Sequence, residues 1–161
     1  MIVLIEGNEG SGKTTLINSL LNKTDICALK LSRNFKYSYE LYVGLVKSKG
    51  TYIFDRSFIT DLVYRMWDHQ KGDMTFSQIG YLVDNYSKNI KIVFCENKNS
   101  WENAKVRGED FIKNEESHKL IDDNFFRIKN LLESFTEIQC MTYDYDYNSV
   151  DDVIEFIKGG E

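Results

Sequence analysis

The stretch GNEGSGKTT at residues 7–15 constrains this chain more than anything else in it. It stands between two regular segments. Met1–Ile5 is a short apolar, partly β-branched run that reads as a buried strand. Lys13–Leu21 follows, with Leu16, Ile17, Leu20 and Leu21 at helical spacing. Between them the glycines let the backbone turn sharply, so that several N–H groups converge on one point. The first turn of the helix adds its partial positive charge there. A strand, a glycine turn and a helix in this order make an anion cradle built mainly of backbone.

Gly7 to Thr14 also matches G-x-x-x-x-G-K-[ST] in full, with the preceding strand and following helix that the motif requires. Asn8, Glu9, Gly10, Ser11, Gly12, Lys13, Thr14 and Thr15 are therefore the expected phosphate-binding residues. Lys13 should reach the β- and γ-phosphates, and the Thr14 hydroxyl should ligate Mg²⁺. The expected ligand is a nucleoside triphosphate with Mg²⁺, and the chain reads as a P-loop NTPase.

Downstream, Ile26–Leu31, Thr51–Asp55, Ile90–Cys95 and Ile138–Tyr143 read as strands. Ser38–Lys49, Ile59–Trp67, Phe76–Ser87, Glu115–Phe135 and Val150–Lys158 read as helices. In the long helix 115–135 the apolar positions are 121, 125, 128, 132 and 135. Strands alternating with helices predict an α/β chain: a three-layer fold with a five-stranded, mainly parallel sheet flanked by helices. The segment 98–114 is charged and poor in large apolar residues, which predicts a short lid. With 161 residues, one domain over 1–161 is expected.

Composition narrows the partners. Net charge is −5, which argues against a nucleic-acid interface but not against small anionic substrates. No apolar run is long enough to span a bilayer, and no basic segment precedes the first strand, so neither a membrane nor a secretory leader is expected. Cys27, Cys95 and Cys140 lie far apart in apolar stretches and read as reduced core cysteines, which points to the cytoplasm. His69 and His118 have no partners at metal-ligand spacing and read as surface histidines.

A GTPase would need D-x-x-G after the third strand, but Asp55 is followed by Arg56, Ser57 and Phe58. Asn97-Lys98-Asn99-Ser100 lacks the acid that would read guanine. The residues Ile5-Glu6-Gly7-Asn8-Glu9-Gly10-Ser11-Gly12-Lys13-Thr14 and Asp55-Arg56-Ser57 instead resemble the nucleoside and nucleotide kinases, thymidylate kinases and deoxynucleoside kinases in particular. Asn8 and Ser57 are similar to the nucleoside kinases. Glu9, an acid inside the loop, is similar to the thymidylate kinases, whose corresponding acid meets the sugar 3′-hydroxyl. The chain is shorter than typical members of either family and resembles compact phage-type versions.

The resemblance implies ATP as the donor and gives roles to further residues. Arg56 would clamp the acceptor phosphate or the transferring group, because its planar fork suits two phosphate oxygens. Asp55 would hold the Mg²⁺ shell or orient the acceptor; its place before a helix also suits an N-cap. Arg107, in Arg107-Gly108-Glu109-Asp110-Phe111, would close over the triphosphate. Arg33, Phe35 and Phe58 would join Glu9 and Arg56 around the acceptor, with Tyr39, Tyr42 and Tyr64 as further aromatic candidates for the pocket. The run Tyr143–Tyr147 could seat the adenine.

No Pro-Glu pair supplies the general base of a nucleoside kinase, which favours a monophosphate acceptor whose oxygen is already ionised. The expected reaction is dTMP + ATP to dTDP + ADP. Two alternatives stay open: a deoxynucleoside kinase acting on a 5′-hydroxyl, and a regulatory P-loop protein that binds ATP without phosphorylating an acceptor. Such kinases often dimerise through helices, so a homodimer is an expected partner state.

Overall fold

The structure, a computed structural model, describes residues 1–30, 38–68, 72, 74–108 and 112–159. Five strands form one sheet: β1 (Ile2–Glu6), β2 (Cys27–Lys30), β3 (Tyr52–Asp55), β4 (Ile90–Cys95) and β5 (Gln139–Tyr143). Their spatial order is β2-β3-β1-β4-β5, and every neighbouring pair is parallel. β1 lies at the centre with all five residues buried, as a strand covered on both faces must.

The period-two alternation of β1 divides the core. Val3 and Ile5 face α1 (Lys13–Lys23) and α7 (Val150–Lys158), meeting Leu16, Leu20, Val153 and Ile157. Ile2 and Leu4 face the other layer, built by α2 (Tyr39–Val46), α3 (Phe58–Asp68), α4 (Phe76–Tyr86) and α6 (Glu115–Phe135). Local signals set the helix starts. Thr75 and Ser149 begin α4 and α7 with reciprocal capping boxes, and Asn114 caps α6. Lys91, on β4, donates to the carbonyls of Phe156, Ile157 and Gly159, so a strand residue closes the last turn of α7.

Three expectations change. The sequence pattern assigns no helix within the charged segment 98–114; α5 (Ser100–Arg107) occupies its first half. α5 rests on the glycine loop, with the backbone of Ser100 and Ala104 against Gly10. Phe135 is 80% exposed, since α6 runs past the edge of the core by its last residue. Cys27 is exposed on the edge strand β2 and Cys140 half-buried, so only Cys95 is a fully buried cysteine. Among the described residues no helix is long and apolar enough to cross a membrane.

Candidate active site

The loop between β1 and α1 takes the shape its glycines permit. Gly7 has φ 137° and Gly10 φ 74°. A Cβ on Gly7 would lie 2.3 Å from the Cys95 carbonyl oxygen, and one on Gly10 only 1.9 Å from that of Ser100. Both positions thus need glycine for conformation and for space. Inside the loop Lys13 is 6% exposed, and its ammonium donates to the Asn8 carbonyl and to Ser11 Oγ. Burial and the nearby Arg56 charge lower its pKa to about 8, while Cys95, Asp55 and Glu6 oppose the shift. At neutral pH it remains mainly a cation. Thr14 and Thr15 open to solvent on the first turn of α1.

Beside the loop, the end of β3 is strained and tied down. Arg56 has φ 70°, an unfavourable value for any residue with a side chain, and its N–H donates to the Ile5 carbonyl at 3.1 Å. The next residue holds that turn: Ser57 Oγ donates to Glu6 and accepts from the Ile59 N–H at 3.1 Å. Ser57, not Asp55, therefore caps α3. Thr60 Oγ1 donates to the second oxygen of Glu6 at 2.5 Å. Glu6 is fully buried, and burial raises its pKa to about 7 against the Ser57 and Thr60 hydrogen bonds and the Lys13 and Arg56 charges. Glu6 stands just before the glycine motif, and the motif itself gives it no role. The available signal was an acid ending a buried strand, with hydroxyls at 57 and 60 opening a helix.

On the opposite flank the loop is tied to α6. The Asn8 side chain donates to the His118 carbonyl at 2.8 Å and to Asp122 at 3.0 Å, and accepts from the Glu9 N–H at 2.8 Å. Its side-chain amide is thus engaged within the protein, which leaves the loop backbone to meet phosphate. His118 is buried, not on the surface, with Nε2 3.1 Å from the Glu9 carbonyl oxygen. His69 lies outside the described residues. Glu9 itself is 6% exposed, and its Oε2 is buried with no hydrogen-bond donor among the described residues.

α5 lies over the top of the loop. Asn103 donates to the Gly10 carbonyl at 3.3 Å and to the Tyr145 hydroxyl at 2.8 Å, and the Tyr145 ring covers Gly12. Arg107, one turn further on, is exposed at the end of α5, where Gly108 terminates the helix with φ 65°. Phe58 is 1% exposed and packs edge-on against Tyr42 with ring centroids 5.4 Å apart; it belongs to the core, not to an acceptor pocket. Arg33 and Phe35 lie outside the described residues.

The donors suit Mg²⁺. Among the described residues no three His, Cys, Asp or Glu side chains converge to hold a metal by themselves. Mg²⁺ beside phosphates commonly takes one or two protein oxygens and fills its octahedron with phosphate oxygens and water. Thr14 and the buried Asp55 offer that number.

The sequence matches no family model and no curated protein. Solved structures are similar over nearly the whole chain. YorR of Bacillus subtilis, in complex with phosphorylated GDP, superposes with a TM-score of 0.68 at 19% identity, covering 98% of this chain and 96% of that one. Deoxyadenosine kinase of M. mycoides with bound dCTP gives 0.66 at 16% identity, over 99% and 100%. Thymidylate kinase of Candida albicans gives 0.59 at 15%, over 99% and 93%. The chain has the fold of the P-loop nucleoside and nucleotide kinases. In a P-loop kinase fold the carboxyl ends of the strands carry the ligands. Glu6, Asp55 and the loop all stand at those ends here.

Proposed function

We propose that this chain is an ATP-dependent nucleotide kinase that moves the γ-phosphate of ATP to a deoxynucleoside monophosphate, with dTMP the leading acceptor. The observation that carries this reading is the Glu9 carboxylate. It sits in a loop built for anions, and one of its oxygens is buried without a donor. A carboxylate there repels phosphate but can accept from a hydroxyl donor such as a sugar 3′-OH.

The transfer breaks the bond between the γ-phosphorus and the β–γ bridging oxygen and forms one from the γ-phosphorus to an acceptor phosphate oxygen. ADP leaves with the bond's electron pair. Such a reaction depends mainly on positioning and on charge stabilisation. Lys13 and the loop amides hold the β- and γ-phosphates. Arg56, fixed in its strained conformation by Ser57 and Glu6, meets the transferring group or the acceptor phosphate. Thr14 and Asp55 would hold Mg²⁺, which neutralises phosphate charge when bound. Arg107 would close over the triphosphate and exclude water. Tyr145, over the start of α1, gives the adenine an aromatic neighbour. Arg33 and Phe35 remain proposed acceptor contacts, and a homodimer the proposed assembly.

A deoxynucleoside acceptor is the second reading. It is favoured by the likeness to M. mycoides deoxyadenosine kinase and by Ser57, whose hydroxyl is built into the Glu6 clamp. The two readings separate when ADP release from ATP–Mg²⁺ is measured with the four deoxynucleoside monophosphates and the four deoxynucleosides. Turnover with a monophosphate alone supports the first reading, and turnover with nucleosides alone replaces it with the second. ATP binding without turnover leaves a regulatory P-loop protein.

A further inference from the structure

His118 is a buried ionisable group for which the phosphoryl-transfer scheme has no use. It is 2% exposed and stands at the start of α6, where the chain re-enters the core after the lid segment. Each ring nitrogen faces an oxygen that can only accept. Nε2 is 3.1 Å from the Glu9 carbonyl, and Nδ1 is 3.3 Å from Asp122 Oδ2. A neutral imidazole has one N–H and one lone pair, so it satisfies one of these contacts and opposes the other. Only the imidazolium donates to both.

The surroundings agree with the geometry. Burial alone would lower the His118 pKa, but the Asp122 and Glu9 hydrogen bonds and the Asp122 and Glu9 charges together raise it above 6.5. The charged groups facing the ring are Glu9 from the loop and Asp122 from α6 itself. From α5 it meets the uncharged Trp101 ring at 5.4 Å, with Lys105 on Trp101 at 5.3 Å. Glu9 is thereby held at both backbone groups: its N–H by Asn8, its carbonyl by His118.

We propose that His118 is a positioning residue for the acceptor: as the imidazolium it fixes the Glu9 backbone, and so aims the Glu9 carboxylate at the acceptor sugar. This rests on the reading of Glu9 as an acceptor contact. The neutral ring releases one hold, and the acceptor site loosens as pH rises. Asp122 sustains the charge and also receives Asn8, so one turn of α6 governs two consecutive loop residues.

The test is steady-state kinetics from pH 5.5 to 8.5 on the wild type, His118→Gln and Asp122→Asn, with NMR titration of the two histidines. The wild-type KM for the acceptor is expected to rise about tenfold as pH passes the His118 pKa, while kcat and the KM for ATP change less than about twofold. His118→Gln is expected to show a raised, pH-independent acceptor KM. Asp122→Asn, a change at a half-exposed partner, should move both the KM break and the His118 titration to lower pH, and it serves if His118→Gln does not fold. A wild-type chain that turns over with a flat acceptor KM, or a His118 titrating below 6.5, overturns the role of His118 alone. A wild-type chain that phosphorylates no acceptor overturns the kinase reading and this role with it.

Discussion

The phosphate loop is gripped on two flanks, and the grips have opposite chemistry. Towards β3, the buried acid Glu6 is held by two hydroxyl donors, Ser57 and Thr60. Towards α6, the buried base His118 is held between two acceptors, Glu9 and Asp122. Donors around an acid favour its anion, and acceptors around a base favour its cation. Full burial nonetheless wins at Glu6, while the added contacts win at His118. The β3 flank therefore reaches its charged form only as pH rises, and the α6 flank holds its charged form only as pH falls.

The largest expected effect lies between the flanks. Lys13→Ala and Arg56→Ala should each cut turnover about a thousandfold while circular dichroism shows a folded chain. Normal turnover in either variant would remove the shared centre that the two grips serve. Next comes Gly10→Ala. Its added Cβ meets the Ser100 carbonyl at a φ that disfavours side chains, so α5 must lift from the loop. A loss on the order of 3 kcal/mol, read by thermal or urea unfolding, is expected.

Glu6→Gln separates the flanks by pH. The Glu6 pKa is raised from 4.5 to about 7, so the folded state binds the extra proton and wild-type stability falls as pH rises across that window. The variant should lack this decline, and its melting temperature relative to wild type should climb from pH 4.5 to 7. A constant difference would show that Glu6 does not titrate there. The His118 pair has the same sign in a different window: its raised pKa stabilises below 6.5, and that stability is lost as pH rises through the folded value. The smallest effect is expected at Asn103→Ala, which frees Gly10 and Tyr145 from α5 and should raise the KM for ATP about threefold through one lost hydrogen-bond link.

The sheet and the loop were legible because their signals are local. β4, α6 and α7 run over the residues that apolar spacing and caps mark out, and the glycine motif names its own conformation. What stayed hidden depends on partners distant in the chain. α5 buries only Ser100 and Ala104, so no apolar spacing marks it as a helix; the surface it covers is Gly10. His118 meets a carbonyl 109 residues away, and no spacing within α6 reveals that contact. Phe58 looked available for a base because it follows Asp55-Arg56-Ser57, but Tyr42, from another helix, closes over it.

The most direct measurement follows the label from isotopically marked γ-phosphate of ATP–Mg²⁺ mixed with dTMP, for wild type and Lys13→Ala. A nucleotide kinase places the label in dTDP, and the Lys13 variant does not. Label found only in inorganic phosphate, or retained in ATP while ATP is bound, would contradict the assignment of this loop to phosphoryl transfer between nucleotides.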